Sequence, residues 1–226
     1  MTRSHRHTAP HAVLWDMDGT LVDTEPAWIT AEFALAERYD GSWSHEHALN
    51  LVGNDLLTSA AYIRVHMGID LSPERIVDEL LVEVVAAVRR EVPWRPGARE
   101  LLVGHVESGI PAALVTMSYR RFAQAVVDAL PEDTFSAMVV GDEVDNGKPH
   151  PEPYLAAAAL LGADPRHCLA IEDSATGATS AEAAGCAVLV VPNHVEVPPS
   201  ARRVFRADLR AVAVGDLSGL CVAASG

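Results

Sequence analysis

Two aspartates separated by a single residue, Asp16 and Asp18, follow an apolar run over residues 12–15. The run has the length and composition of a buried strand. Open α/β sheets bind ligands where the carboxyl end of a strand opens into a glycine turn, and Gly19 comes next here. Unpaired carboxylates are too costly to bury in a core. The two acids therefore either face solvent in an ordinary Asp-Gly turn, or they hold a cation and carry out chemistry.

Ser118 lies just beyond the end of a predicted strand, and three more polar side chains stand at the ends of predicted strands: Thr116, Glu172 and Asp173. Because the carboxyl ends of parallel strands lie along one edge of a sheet, we expect them to converge on Asp16 and Asp18. Lys148, in a Gly-Lys-Pro turn, is expected to reach the same edge from a loop. It is the only lysine among 17 basic residues. It is either a chance surface lysine or a compact ammonium required where a planar guanidinium would be too broad.

Charge repulsion among these acids favours a metal ion. Two carboxylates about 5 Å apart repel by about 3 kcal/mol at an effective dielectric constant of about 20. Three or four converging acids cannot all stay ionised beside one lysine. A divalent cation with oxygen ligands removes this conflict, and Mg²⁺ commonly binds a few carboxylates together with a substrate phosphate. The sequence therefore predicts a Mg²⁺ site.

The order of predicted elements indicates an α/β fold with an insertion. Residues 25–94 are helical almost throughout, with Thr24 and Ser72 predicted as helix caps. After Gly97 strands and helices alternate, which predicts a doubly wound parallel sheet. We therefore expect an α/β core domain over residues 1–24 and 95–226 and an all-helical cap domain over residues 25–94. In the tail, a weak strand is predicted near residues 212–214.

Composition restricts the class of partner. The chain has 226 residues and a formal net charge of −14. This charge argues against a nucleic-acid partner, which requires a basic patch, and against attachment to anionic membranes. The three cysteines, the polar amino terminus and the lack of a long apolar run predict a cytoplasmic protein with free thiols. We also expect a monomer.

The motifs together resemble those of the haloacid dehalogenase (HAD) superfamily, in particular its β-phosphoglucomutase-like proteins and sugar-phosphate phosphatases. Residues 16–20, Asp-Met-Asp-Gly-Thr, are similar to the first motif of the family, and Thr116 is similar to the second. Lys148 corresponds to the third motif and Glu172-Asp173 to the fourth, while the helical insertion resembles the small cap of the family. The resemblance covers nearly the whole chain up to about residue 191.

The resemblance implies a role for each motif residue. Asp16 would be the nucleophile that forms an aspartyl-phosphate, and Asp18 the general acid and base. The phosphoryl group would be bound by Thr116, Ser118 and Lys148. Mg²⁺ would be held by Asp16, Asp18 (through its backbone carbonyl) and Asp173, with Glu172 beside it. The substrate would be a small phosphorylated metabolite, such as a sugar or polyol phosphate.

Two alternatives to a phosphatase are also compatible with the sequence. The first is a phosphosugar mutase of the β-phosphoglucomutase type, although those mutases carry a histidine where Trp28 stands here. The second is a non-enzymatic phosphoacceptor module similar to bacterial receiver domains, which also use Asp, Thr and Lys around Mg²⁺. Three cap residues, Glu25, Trp28 and Asn54, are predicted to face the substrate, whereas Tyr154 is predicted to have only a packing role.

Overall fold

A parallel sheet lies at the centre of the computed structural model, which describes residues 9–51 and 55–223. Within those residues, six strands pair in the order β3-β2-β1-β4-β5-β6, and every pairing is parallel. The strands are β1 (Ala12–Trp15), β2 (Ala112–Val115), β3 (Ala137–Val139), β4 (Cys168–Glu172), β5 (Ala187–Val190) and β6 (Arg203–Phe205). The predicted parallel α/β sheet is confirmed.

The central strands are apolar on both faces because helices cover both sides of the sheet. In β1, Val13 and Trp15 belong to one buried cluster, whereas Ala12 and Leu14 belong to another on the opposite face. All four residues of β1 are fully buried. The middle of the sheet is therefore a rigid support for the residues that follow the carboxyl ends of its strands.

Helices fill the connections between the strands. They are α1 (Glu25–Arg38), α2 (His45–Leu49), α3 (Leu56–Met67), α4 (Pro73–Arg90), α5 (Ala98–Glu107), α6 (Arg120–Val127), α7 (Glu152–Leu160), α8 (Ala175–Ala184) and α9 (Leu217–Ala223). The predicted cap at Ser72 is confirmed, since its Oγ accepts a hydrogen bond from the backbone N–H of Arg75. No helix in these described ranges combines the length and apolarity that crossing a bilayer requires.

The first four helices after β1, α1 to α4, pack on one another, with α4 contacting both α1 and α3. Helix α4 also contacts α6, which follows β2. The chain enters and leaves this helical segment through two adjacent connections. The N–H of Asp23 donates to Pro93 O at 2.8 Å, and the N–H of Arg95 donates to Leu21 O at 2.9 Å. Both connections therefore lie directly beside the carboxyl end of β1.

The prediction for the tail is wrong. Residues 212–214 do not form a strand, and the last strand is β6, which pairs with β5. Because β6 occupies that edge of the sheet, Val212 packs into the hydrophobic core instead. Val214 begins a short 3₁₀ turn, and Asp216 Oδ2 accepts a hydrogen bond from the N–H of Ala213 at 2.9 Å.

The three cysteines, Cys168, Cys186 and Cys221, are buried thiols outside any disulfide, as predicted. Burial raises the pKa of the Cys168 thiol to about 12. A thiol with so high a pKa is a poor nucleophile at neutral pH, because the thiolate is the reactive form. Cys168 therefore behaves as a small apolar side chain.

Candidate active site

The carboxyl ends of β1, β2 and β4 bring the predicted site residues together. In the sheet register, Trp15 of β1 is level with Leu114 of β2 and with Ile171 of β4. The residues that follow these positions therefore meet at one edge. The N–H of Asp16 also donates to Ile171 O at 3.0 Å, which fixes the first aspartate against β4.

Asp16 is a buried carboxylate with one bonded oxygen and one free oxygen. Its Oδ1 accepts a hydrogen bond from Lys148 Nζ at 2.7 Å, and its Oδ2 is buried without a partner among residues 9–51 and 55–223. Burial, and then the charge of Glu172, raise the pKa of Asp16 to about 7, while Lys148 opposes the shift. A buried, unbonded carboxylate oxygen is costly unless a ligand or metal engages it. The unbonded Asp16 Oδ2 thus indicates a binding position for a ligand or a metal.

Lys148 crosses the site and saturates all three of its donors. Its Nζ lies 2.7 Å from Asp16 Oδ1, 2.6 Å from Glu172 Oε1 and 2.9 Å from Val115 O. The side chain is only 5% exposed. Burial acts to lower the pKa of Lys148, but the two carboxylates outweigh it and hold the pKa above its ordinary value. The ammonium is therefore charged, and Lys148 is not a chance surface residue.

Glu172 is fully buried and hydrogen bonded at both oxygens. Its Oε1 accepts from Tyr154 OH at 2.7 Å as well as from Lys148, and its Oε2 accepts from Ser174 Oγ at 3.2 Å. Gly177 leaves the space that this carboxylate fills, because a Cβ there would lie 1.8 Å from Glu172 Oε1. Glu172 is therefore fixed in place and in turn orients Lys148.

Asp173 is a largely buried acid whose carboxylate receives no hydrogen bond from the described part of the chain. Burial, and then the charges of Asp16 and Glu172, raise its pKa to about 9. Its Oδ2 lies close against Gly19, which has a φ of +84° and where a Cβ would be 2.0 Å from that oxygen. Glycine at position 19 therefore provides both the tight turn after β1 and the space for Asp173.

These acids fit a hard divalent cation. One carboxylate oxygen from each of Asp16, Glu172 and Asp173 lies within 4.8 Å of the others. With all three acids ionised against one ammonium, two negative charges would be in excess in a buried space, which is why the pKa values of Asp16 and Asp173 are raised. The unbonded Asp16 Oδ2 and the unpartnered Asp173 carboxylate are oxygen ligands of the kind that Mg²⁺ and Ca²⁺ prefer. This arrangement favours a metal bound between Asp16 and Asp173.

Asp18 is held by three hydroxyl groups. Its Oδ1 accepts from Thr24 Oγ1 at 2.6 Å, while its Oδ2 accepts from Ser118 Oγ at 2.7 Å and from Thr116 Oγ1 at 3.2 Å. Burial raises the pKa of Asp18, and the three hydroxyl groups oppose the shift. The structure therefore brings Thr116 and Ser118 to the site, where both bind Asp18.

Two residues in this network were not predicted from the sequence. Thr24 was expected to cap α1, but its side chain makes no capping bond and instead binds Asp18. The sequence predicts only a packing role for Tyr154, but its buried hydroxyl donates a hydrogen bond to Glu172. A threonine before Glu-Pro and a tyrosine in an alanine-rich helix carry no local signal for these distant contacts. The spacing of residues in the sequence therefore does not predict either contact.

Two of the three residues predicted to face the substrate, Glu25 and Trp28, contact the core. Trp28 packs edge-on against Phe122 of α6, with ring centroids 5.6 Å apart. Glu25 Oε2 lies 3.3 Å from His194 Nε2, in the loop after β5. Both residues therefore meet the core beside the site. Asn54 lies outside the described residues.

Comparisons with known proteins agree with this geometry. The family model for haloacid dehalogenase-like hydrolases matches residues 10–185. The chain is 29% identical to hexitol phosphatase B of Escherichia coli K12 (80% of this chain and 83% of that protein). It is 32% identical to hexitol phosphatase A of the same strain, with 82% and 84% covered.

A solved structure is similar over almost the whole chain. It is CbbY from Rhodobacter sphaeroides in complex with phosphate, with a TM-score of 0.80, 25% identity, and coverage of 90% of this chain and 96% of that one. With the family match over most of the chain, the prediction of an enzyme of the HAD phosphatase type is confirmed. The chain belongs to the haloacid dehalogenase-like hydrolases.

Proposed function

We propose that this enzyme hydrolyses small sugar or polyol phosphates with Mg²⁺, through an aspartyl-phosphate on Asp16. The observation that carries the proposal is the buried, unbonded Oδ2 of Asp16, beside an ammonium that holds the other oxygen. The names of the hexitol phosphatases among its relatives support a phosphorylated polyol or sugar as the substrate.

The roles of the acids follow from their surroundings. In the first step, Asp16 Oδ2 forms a bond to phosphorus, the bond from phosphorus to the leaving oxygen breaks, and Asp18 gives that oxygen a proton. In the second step, Asp18 takes a proton from water, the water oxygen bonds to phosphorus, and the bond to Asp16 breaks. The raised pKa of Asp18 favours the protonated form that the first step requires.

The remaining motif residues bind and orient. We assign Thr116, Ser118 and Lys148 to the phosphoryl oxygens; Lys148 would give up one of its three hydrogen bonds to reach the phosphoryl group while still keeping Asp16 ionised. The metal ligands would be Asp16, the backbone carbonyl of Asp18, and Asp173, with Glu172 beside them. When bound, a divalent cation neutralises charge on the phosphoryl oxygens and offsets their repulsion from the acids.

Residues 25–94 are proposed to act as the cap domain over this site, with residues 1–24 and 95–226 as the core. The two adjacent connections would let the helices open for substrate and close to exclude water. A cytoplasmic location, a monomeric state and the lack of a nucleic-acid partner stay predictions.

A phosphatase screen tests the proposal. Wild-type protein, Asp16→Asn and a control, Asp70→Asn at a fully exposed position, are assayed on a panel of phosphorylated metabolites with Mg²⁺ or EDTA. We expect Mg²⁺-dependent phosphate release that Asp16→Asn abolishes and Asp70→Asn retains. Turnover by Asp16→Asn would remove Asp16 as nucleophile. A stable phosphoprotein without release would favour a phosphoacceptor, and isomerised sugar phosphate would favour a mutase.

A further inference from the structure

Glu32 on α1 is a buried carboxylate that the site described above does not use. The residue is 5% exposed, and its Oε2 accepts a hydrogen bond from Trp43 Nε1 at 3.0 Å. Its Oε1 receives no hydrogen bond from any described residue. An ionised carboxylate offers about four acceptor positions, so one bond leaves most of its capacity unused. A glutamine would satisfy Trp43 equally well at a lower cost of burial.

The face of α1 that carries Glu32 is turned toward the core. Glu25, Trp28 and Glu32 are spaced by three and four residues and therefore share one side of the helix. On that side, Trp28 meets Phe122 of α6, and Glu25 meets the loop after β5. Helix α6 begins just after the Thr116–Ser118 segment. The shared face of α1 thus lines the cap side of the active site.

The distance along α1 indicates which end of a substrate would meet Glu32. Thr24, just before the helix, binds Asp18, which marks the position of the reacting phosphate. Eight residues of helix from Thr24 to Glu32 correspond to a rise of about 12 Å, and helical side chains lean back toward the amino terminus. Glu32 therefore lies at the distance of the far end of a chain several carbons long.

The negative charge on the α1 face that carries Glu32 indicates which chemical groups the distal end of a substrate would present. Burial, and then the charge of Glu25, raise the pKa of Glu32 to about 7, while the Trp43 hydrogen bond opposes the shift. Carboxylates accept hydrogen bonds from hydroxyl groups and repel anions. Three arginines of the helical segment form ion pairs with acids other than Glu32: Arg38, Arg64 and Arg75.

We propose that Glu32 is a specificity residue that accepts hydrogen bonds from the hydroxyl groups remote from the phosphate. It would select neutral polyol and sugar phosphates over phosphates with a second anionic group. This inference rests on the proposed phosphatase function and adds to it the nature of the substrate's distal end.

The test compares Glu32→Gln with wild type on three substrates: a hexitol 6-phosphate, p-nitrophenyl phosphate and the anionic phosphoglycolate. Glutamine keeps a carbonyl oxygen for Trp43, and thermal unfolding checks that the variant is folded. Glu37→Gln, an exposed acid on the same helix, is the matched control. The readout is kcat/KM on the hexitol phosphate divided by kcat/KM on each of the other two.

We expect Glu32→Gln to lower both ratios about tenfold, mainly through KM for the hexitol phosphate, because a bond to a charged acceptor is weakened. Glu37→Gln should leave both ratios unchanged. Unchanged ratios in Glu32→Gln, or an equal loss on all three substrates, would overturn the specificity role. A wild-type protein inactive on every substrate would instead overturn the proposed function itself.

Discussion

Replacing Lys148 with methionine would remove the only ammonium from the acidic site while keeping the apolar stem. Three hydrogen bonds would be lost, to Asp16, Glu172 and Val115. Asp16 would then face Glu172 without a countercharge, and its pKa, already about 7, would rise further. Each additional pKa unit lowers the ionised fraction of Asp16 about tenfold at neutral pH.

The stability cost of this change follows from burial. Removing one partner of a buried ion pair costs about 3–5 kcal/mol. Protonation of the carboxylates relieves part of that cost, so we expect about 3 kcal/mol. For a chain of this length, about 2–4 °C of Tm is lost per kcal/mol, which gives a fall of about 6–12 °C. Phosphatase activity at pH 7 should fall at least about a hundredfold.

Thermal unfolding in EDTA, together with phosphate release in Mg²⁺, measures both effects. Arg166→Met is the control, because Arg166 is 74% exposed and pairs with Asp164 at the surface. An exposed pair of this kind contributes about 0–1 kcal/mol, so the control should stay close to wild type. A Lys148→Met protein with wild-type Tm and activity would refute the account of Lys148.

Three further predictions concern other parts of the molecule. Asp18→Asn should lower kcat on alkyl phosphates by about 10²–10⁴-fold but affect p-nitrophenyl phosphate much less, since nitrophenolate leaves without a proton; equal losses on both would contradict the acid role. Gly177→Ala should lower Tm and activity by displacing Glu172, whereas Gly215→Ala, where an added Cβ meets nothing within 4 Å, should not; identical behaviour would contradict the steric reasoning. Burial lowers the pKa of His105 to about 4, below about 6.5 in the unfolded chain, so the stability from its neutral form is complete above pH 6.5 and is lost as pH falls toward 4. In urea unfolding, that loss, at most about 3 kcal/mol, should be smaller in His105→Gln, and parallel curves for the two proteins would show that His105 does not titrate.

The convergence of the motif residues was predictable because parallel strands end at a common edge. Asp16 and Glu172 follow short apolar runs that form buried strands, so their proximity needs only the topology. Lys148 reaches them from a loop, and its position was supported by composition as well as by the family resemblance. The strand-edge rule therefore accounts for the centre of the site.

Contacts that depend on the packing of distant elements were not predictable in the same way. Tyr154 binds Glu172 only because α7 packs beside β4, and nothing in the local sequence specifies that contact. The strand β6 is three half-buried residues, Arg-Val-Phe, too short to show an alternating pattern. Glu32 looks like any acid on an amphipathic helix, and only its burial distinguishes it.

The most direct test of the central claim is to identify the residue that carries phosphate during turnover. Wild-type protein is mixed with substrate and Mg²⁺, quenched rapidly in acid, and reduced with borohydride, which converts a phosphorylated aspartate into homoserine. We predict that peptide mass mapping finds homoserine at position 16. Homoserine at another aspartate, or none at all in a preparation that releases phosphate, would contradict the account.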